Sequence, residues 1–178
     1  KLLCEKVKEI KVKKPKPIYE SVISSQRAVL PFDFDKPLKI IGERINPTGK
    51  EKLKKEILSG QFREIRRLAI EQELAGADLL DVNVGASGVD EKSFLAKTIS
   101  ELSTTVSLPL CIDSSNPEAI EAALRVYPGR ALINSISMEE KKISKLLLTA
   151  KKYSAMFILL PLGDGNLPVK AEERIFYI

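Results

Sequence analysis

Residues 108–124 read LPLCIDSSNPEAIEAAL, and this stretch decides the fold class. It opens with Leu108–Ile112, an apolar run of strand length without a polar face, as expected for a strand covered on both sides. After Asp113, Asn116 and Pro117 combine a helix-capping residue with a proline suited to the first helical position. A buried strand that passes within a few residues into a helix predicts a β–α unit.

The same unit recurs along the chain. Further apolar runs of strand length occur at Leu38–Ile41, Leu79–Val84, Ala131–Ile133 and Ala155–Leu160. Between them, apolar residues recur at helical spacing within residues 54–75, 90–106 and 139–153. Strands that alternate with helices through short links predict an α/β fold, with a parallel sheet and right-handed crossovers.

Two α/β architectures fit this repeat: an open doubly wound sheet, and the first five or so units of a (β/α)₈ TIM barrel. A complete barrel needs about 250 residues, so the barrel interpretation expects a chain truncated midway through the fold. We assign residues 38–178 to this domain. Residues 1–37 contain an amphipathic pattern at 1–13 and the helix-stopping Pro15 and Pro17, and we interpret them as the end of a preceding domain and a linker.

The composition narrows the function classes. The 178 residues include no histidine, which excludes Ser-His-Asp, Cys-His and histidine–metal chemistry within the chain. The two cysteines are too few for a disulfide framework and lack zinc-site spacing, so we expect a reducing, cytoplasmic setting. The net charge of +5 derives mostly from residues 1–37, with nine Lys/Arg against five Asp/Glu, and the basic residues form no nucleic-acid footprint. No apolar run approaches the roughly 20 residues of a membrane span, so neither nucleic acid nor a membrane is an expected partner.

Polar residues follow four consecutive predicted strands. They are Glu43 and Asn46 after the first strand, Asp81 and Asn83 at the second, Asp113 at the third and Asn134 at the fourth. In a parallel α/β fold these strand ends form one ligand-binding face. Carboxylates accept hydrogen bonds and amides both donate and accept, a set that suits a flat heterocycle with a guanidine-like edge. No phosphate-binding glycine motif is present.

Several of these residues also have a purely structural interpretation. Asn46 before Pro47 is also typical of a turn. Asp81 and Asn83 fit equally well as buried hydrogen-bond partners inside the barrel and as ligand contacts. Ser115 or Asn116 is best explained as a helix cap.

Four motifs together resemble a known family: IGERINPTG at 41–49, LLDVNVG at 79–85, LCIDSSNPEAIEAAL at 110–124 and ALINSIS at 131–137. In this order they resemble the pterin-binding domain of methyltetrahydrofolate-dependent methyltransferases. That group includes the folate module of cobalamin-dependent methionine synthase and the methyltetrahydrofolate:corrinoid/iron–sulfur-protein methyltransferase. Dihydropteroate synthase shares the barrel more distantly, but its first-strand motif differs from GERINPTG.

The resemblance implies a role for each matched residue. Glu43 would lie beside the pterin, with Asn46, Pro47 and Thr48 in the adjoining loop. Asp113 and Asn134 would hydrogen-bond the pterin ring, with Asp81 and Asn83 near its floor. No catalytic residue and no metal ligand are assigned within this chain.

The resemblance also implies an activity and partners. The activity is methyl transfer from methyltetrahydrofolate to cobalamin, which another domain of the same polypeptide would bind. A homocysteine-binding domain, with its zinc, would precede residue 38. The alternatives are the corrinoid/iron–sulfur-protein methyltransferase, a non-catalytic interdomain fragment and, less favoured, dihydropteroate synthase.

Overall fold

The computed structural model describes residues 5–6, 21–32, 35–162, 168 and 170–175. An antiparallel hairpin of β1 (Val22–Ser24) and β2 (Val29–Pro31) precedes the main sheet. The five parallel strands of that sheet are hydrogen-bonded in chain order. They are β3 (Ile41–Ile45), β4 (Leu79–Val82), β5 (Leu110–Asp113), β6 (Leu132–Ser137) and β7 (Met156–Leu160).

Helices connect these strands. They are α1 (Glu51–Leu58), α2 (Arg63–Leu74), α3 (Glu91–Thr105), α4 (Pro117–Val126) and α5 (Glu140–Tyr153), followed after β7 by α6 (Ala171–Ile175). The cap predicted for α4 is confirmed, because the Asn116 side chain accepts a hydrogen bond from the Glu118 N–H at 2.9 Å. Parallel strands in chain order, each joined to the next through helix, confirm the predicted α/β fold with five β–α units of TIM-barrel type. None of the helices in the described ranges is long and apolar enough to cross a membrane.

The two faces of the sheet bury different sets of side chains, because successive strand residues point to opposite sides. Leu80, Val82, Ile112 and Ile133 face the helices and belong to the large core cluster. Their neighbours Leu79, Cys111 and Leu132 belong to a second cluster on the inner face. Both sets are at most 5% exposed, which explains why these strands show no polar face in the sequence.

The β1–β2 hairpin covers part of the inner face. Ile23 is fully buried in the second cluster, and Leu30 and Phe32 pack against the same group. The Tyr127 hydroxyl donates to the Ser24 carbonyl oxygen at 2.9 Å and accepts from the Leu110 N–H at 3.0 Å. The hairpin therefore packs on the sheet although it lies within the range 1–37. The domain division at residue 37 itself stays a prediction, and most of the amphipathic segment 1–13 lies outside the described residues.

The first strand of the main sheet lies further along the chain than predicted. Leu38 is 96% exposed and Ile40 is 61% exposed, so the predicted strand Leu38–Ile41 is wrong apart from its last residue. The ladder instead pairs Ile41 with Leu79 and, beyond an irregularity, the buried Ile45 with Val82. Burial in the sheet selects Ile45 rather than Leu38, and Glu43 consequently lies within β3 rather than after it.

Smaller differences occur at the other elements. The single helix predicted over 54–75 is divided into α1 and α2, because the chain turns at Gly60 with φ of +70°. This left-handed conformation suits glycine, which has no side chain to clash with the backbone. In β5 and β6, Asp113 and Asn134 belong to the strands themselves and not to the following loops.

Candidate functional site

Four polar side chains lie together on the inner face, at the ends of β4, β5 and β6. The ladder pairs Asp81 with Cys111, and two residues further along β5 it pairs Asp113 with Asn134. Since Cys111 and Leu132 face inward, the residues two positions later in the same strands face inward as well. The sheet thus brings Asp81, Asn83, Asp113 and Asn134 together, as strand-end geometry predicts.

These side chains form two amide–carboxylate pairs that cross the sheet. Asn83 Nδ2 donates to Asp113 Oδ2 at 2.9 Å. Asn134 Nδ2 donates to Asp81 Oδ1 at 3.1 Å. Asp81 is buried at 3% exposure, whereas the other three side chains are partly exposed. The pairs hold a carboxylate and an amide side by side at the open end of the inner face.

Asp81 is the most perturbed acid of this group. Burial raises its pKa to about 6, although hydrogen bonds from Asn134 and Cys111 act in the opposite direction. The negative charges of Asp113 and Glu43 raise the pKa of Asp81 further. Burial also raises the pKa of the Cys111 thiol, which therefore remains protonated. Glu43, Asp81 and Asp113 together make the inner face acidic.

A cavity of about 220 Å³ opens beside Asp113 and Asn134. Its polar wall continues through Ser114, Ser135 and Ser137, and Leu146, Leu160 and Leu162 contribute apolar surface. One polar wall and one apolar wall suit a flat ring that carries hydrogen-bonding edges. Ser135 and Ser137 were not among the predicted site residues, although the polar-rich NSIS segment of β6 is a signal that could have found them.

The loop after β3 lies beside a second cleft. Asn46 Oδ1 accepts a hydrogen bond from the Thr48 N–H at 2.9 Å, which is the turn interpretation of Asn46. Pro47 is buried, and together with Thr48 it lines a cleft of about 250 Å³ next to Gly85, Ser87 and Lys54. Glu43 is exposed, but its charge acts on Asp81. The loop residues therefore border a different cleft from the one that Asp113 and Asn134 line.

Other concave surfaces do not involve the strand ends. The largest of the described cavities, about 460 Å³, lies on the outer helices among Lys92, Glu118, Glu121 and Arg125. Those side chains take part in exposed ion pairs, such as Lys92 with Glu118 at 3.8 Å, which stabilise little. Among the described residues, no group of three Asp, Glu or Cys side chains is arranged to hold a metal ion. The inner face is the best candidate site.

The comparison with protein families agrees with this fold. Residues 42–174 match the family of pterin binding enzymes, which covers well over half of the chain. The chain belongs to this family. The resemblance inferred from the four sequence motifs is thereby confirmed at the level of a pterin-binding domain.

Two curated relatives of this chain are methionine synthases. The methionine synthase of Mycobacterium tuberculosis (strain ATCC 25618 / H37Rv) is 26% identical over 162 residues, which cover 88% of this chain and 14% of that protein. The methionine synthase of Mycobacterium leprae (strain TN) is 27% identical over 165 residues, which cover 88% of this chain and 13% of that protein. The chain thus spans about one seventh of the length of these relatives.

Solved structures with a similar fold include two dihydropteroate synthases. The Xanthomonas albilineans enzyme with 4-aminobenzoic acid has a TM-score of 0.56 at 20% identity, covering 88% of this chain and 59% of that one. The Yersinia pestis enzyme with a pterine–sulfa conjugate has a TM-score of 0.54 at 20% identity, covering 82% and 52%. At this identity the likeness shows a common fold and nothing about the reaction.

Proposed function

We propose that this domain binds the pterin ring of methyltetrahydrofolate and presents its N5-methyl group for transfer to cobalamin. The domain would be the folate module of a methionine synthase. The observation that carries the proposal is the pairing of Asp113 with Asn134 on the inner face of a pterin-binding fold. The sequence relationship to methionine synthases over most of the chain favours this reaction over others of the family.

Asp113 is the residue that we assign to the amino-pyrimidine edge of the pterin. Its Oδ2 accepts from Asn83, and among the described residues no group donates to its Oδ1. A carboxylate in this state can accept from the paired N–H groups of the pterin edge. Asn134 lies beside it in register and offers its carbonyl oxygen as a further acceptor.

The reaction requires a proton on N5 as the methyl group leaves, because a tertiary amine is a poor leaving group. Since this chain contains no histidine, its own contribution to the route of that proton would be a network of carboxylates, amides and water. Cobalamin, held by another domain, would supply the nucleophile that accepts the methyl group. We assign recognition and orientation of the pterin to this domain, and no catalytic residue.

The remaining roles follow from the same proposal. Glu43, Asn46, Pro47 and Thr48 would border the folate beyond the ring. A homocysteine-binding domain with its zinc, and a cobalamin-binding domain, would belong to the same cytoplasmic polypeptide. A corrinoid/iron–sulfur-protein methyltransferase would use the same pterin contacts with a different acceptor protein.

The test is a calorimetric titration of the full-length protein with methyltetrahydrofolate. Asp113→Asn should weaken binding about 30- to 1000-fold, because the amide turns one acceptor into a donor that faces a donor. This corresponds to about 2–4 kcal/mol for a lost charge-assisted hydrogen bond and an unpaired donor. Unchanged affinity in Asp113→Asn would remove Asp113 from the site.

Asp90→Asn is the matched control for this titration. Asp90 is the exposed cap of α3, and asparagine caps helices equally well, so the affinity of Asp90→Asn for methyltetrahydrofolate should equal that of the unchanged protein.

Loss of the methyl group from methyltetrahydrofolate in the presence of reduced cobalamin should accompany binding. Condensation of a pterin pyrophosphate with 4-aminobenzoic acid would instead indicate the dihydropteroate synthase reaction. A protein that binds no pterin would indicate the non-catalytic alternative.

A further inference from the structure

The two inward-facing amides are held in different ways. Asn83 is fixed at both ends, because its Nδ2 donates to Asp113 and its Oδ1 accepts from the Gly85 N–H at 2.9 Å. Asn134 is held at one end only, through the hydrogen bond from Nδ2 to Asp81 at 3.1 Å. Among the described residues, no group donates to Asn134 Oδ1. The orientation of the Asn134 amide therefore depends on Asp81, whereas that of Asn83 is set by the backbone.

Asp81 sits in surroundings that disfavour its charge. The layer at its level contains Cys111, Leu132 and Met156, and the hairpin residue Ile23 packs against the same cluster. The polar groups that act on Asp81 are Glu43 from β3, Cys111 and Asp113 from β5, and Asn134 from β6. Two of these four are carboxylates that repel the Asp81 charge. The pKa of Asp81, at about 6, therefore lies closer to neutral pH than that of an ordinary surface aspartate.

We propose that Asp81 is a positioning residue that turns the side-chain oxygen of Asn134, Oδ1, towards the pterin, and that protonation of Asp81 flips the Asn134 side-chain amide and weakens pterin binding. The inference rests on the proposed function, since it concerns the same site. An ionised Asp81 only accepts, so Asn134 must direct its NH₂ group towards Asp81 and its oxygen towards the ligand. A protonated Asp81 can donate, and Asn134 can then accept from it while its NH₂ group faces the ligand. That NH₂ group would meet the N–H donors of the pterin edge.

This switch predicts the direction and size of a pH effect. With the pKa of Asp81 at about 6, only about one tenth of the protein carries ionised Asp81 one pH unit lower. When binding requires that form, the apparent Kd increases in inverse proportion to its population. The Kd for methyltetrahydrofolate should therefore increase about 10-fold between pH 7.5 and pH 5.

The experiment compares three forms of the full-length protein by calorimetric titration with methyltetrahydrofolate from pH 5 to pH 7.5. In Asp81→Asn the neutral amide is nearly the same size as the carboxyl group and does not titrate. The Kd of this variant should therefore lack the increase of about 10-fold between pH 7.5 and pH 5 that is expected for the unchanged protein. Asp78→Asn is the matched control. Asp78 lies three residues earlier, accepts from the Ile40 N–H at 2.8 Å and pairs with Lys39 outside the inner face, so its profile should follow the unchanged protein.

Titration of the ligand is common to all three proteins, so the difference between the profiles reports Asp81 together with the carboxylates whose charges act on it, Asp113 and Glu43. If Asp81→Asn follows the unchanged protein at every pH, Asp81 is only a structural partner and the inference is overturned. A Kd of the unchanged protein that is constant over this range overturns it as well, and this result does not require the variant to fold. Absence of any pterin binding by the unchanged protein would overturn the proposed function, and the inference with it.

Discussion

Asp81 and Asp113 are both inward-facing aspartates, yet their positions give them different physical roles. Asp113 is partly exposed at the open end of the sheet, where its carboxyl group is accessible to a ligand. Asp81 lies one layer deeper, where burial disfavours its charge. A difference of two residues in depth separates the proposed ligand contact, Asp113, from the proposed positioning residue, Asp81, because the desolvation of a charge increases towards the protein interior.

The buried Asp81 should leave a signature in stability that is independent of any ligand. Its pKa is about 6 in the folded state against 3.8 as the ordinary value, so folding favours the protonated form. The stabilisation is fully present below about pH 4 and is lost as the pH rises through 6. The free energy of unfolding of Asp81→Asn, measured relative to that of the unchanged protein, should therefore increase by on the order of 2 kcal/mol between pH 4 and pH 7. Urea denaturation at several pH values measures this, and parallel stability profiles would contradict the assignment of a raised pKa.

The hairpin of β1 and β2 is short, and contacts with distant residues hold it in place. Each of its strands has three residues, too few to be stable alone, and the structure supports them through contacts with distant parts of the chain. Ser24 exchanges hydrogen bonds with Arg130, whose N–H donates to Ser24 Oγ at 3.0 Å while the Ser24 N–H donates to the Arg130 carbonyl. A Cβ at Gly129 would lie 2.0 Å from the Ser24 carbonyl oxygen, so this close approach requires glycine. The hairpin is thus part of the packed body.

Removal of the Tyr127 hydroxyl should loosen the hairpin specifically. Tyr127→Phe leaves the Ser24 carbonyl and the buried Leu110 N–H without this partner, and it should lower the free energy of unfolding by about 1–3 kcal/mol. Hydrogen exchange in residues 22–31 should accelerate more than exchange in the central strands. Tyr153→Phe is the control, because Tyr153 packs against the core but its hydroxyl makes no hydrogen bond to a described backbone group. Equal effects of the two substitutions would show that Tyr127 acts through packing alone.

At the scale of the whole molecule, the sheet separates stability from recognition. The outer face of the strands is apolar and packs under the helices, whereas the inner face changes from apolar residues near the hairpin to polar residues at the strand ends. The polar end can therefore be built for a ligand without disrupting the main core. The cost is a group of like charges, Glu43, Asp81 and Asp113, held close together on one face.

A ligand that fills this polar end should stabilise the folded domain by linkage. At a methyltetrahydrofolate concentration of about 100 times Kd, the gain should be about 2.7 kcal/mol, which raises the thermal midpoint of the unfolding transition that contains this domain. The compound 4-aminobenzoylglutamate, which has the folate tail but no pterin ring, is the control and should have little effect. A midpoint that responds equally to both compounds would assign the binding to the tail rather than to the inner face.

The sequence by itself determined the β–α repeat, the parallel direction of the strands and the polar residues at the strand ends. These features are encoded locally, since the length of an apolar run predicts a buried strand and the alternation along it decides which neighbours of Asp113 face inward. The α4 cap at Asn116 was predictable for the same reason. The family resemblance of the four motifs added the identity of the ligand class.

Only the tertiary structure decided the elements that depend on distant partners. The shift of the first strand to Ile41–Ile45 follows from pairing with β4, and the local hydrophobicity of Leu38 and Ile40 gives no sign of it. The hairpin is supported by residues about a hundred positions away, including Tyr127. The sequence did not predict the hydrogen-bond partners of the amides either, because Asn134 and Asp81 are 53 residues apart and meet only through strand register. Local pattern fixes which face a side chain occupies, whereas its partner on that face is set by the register between strands.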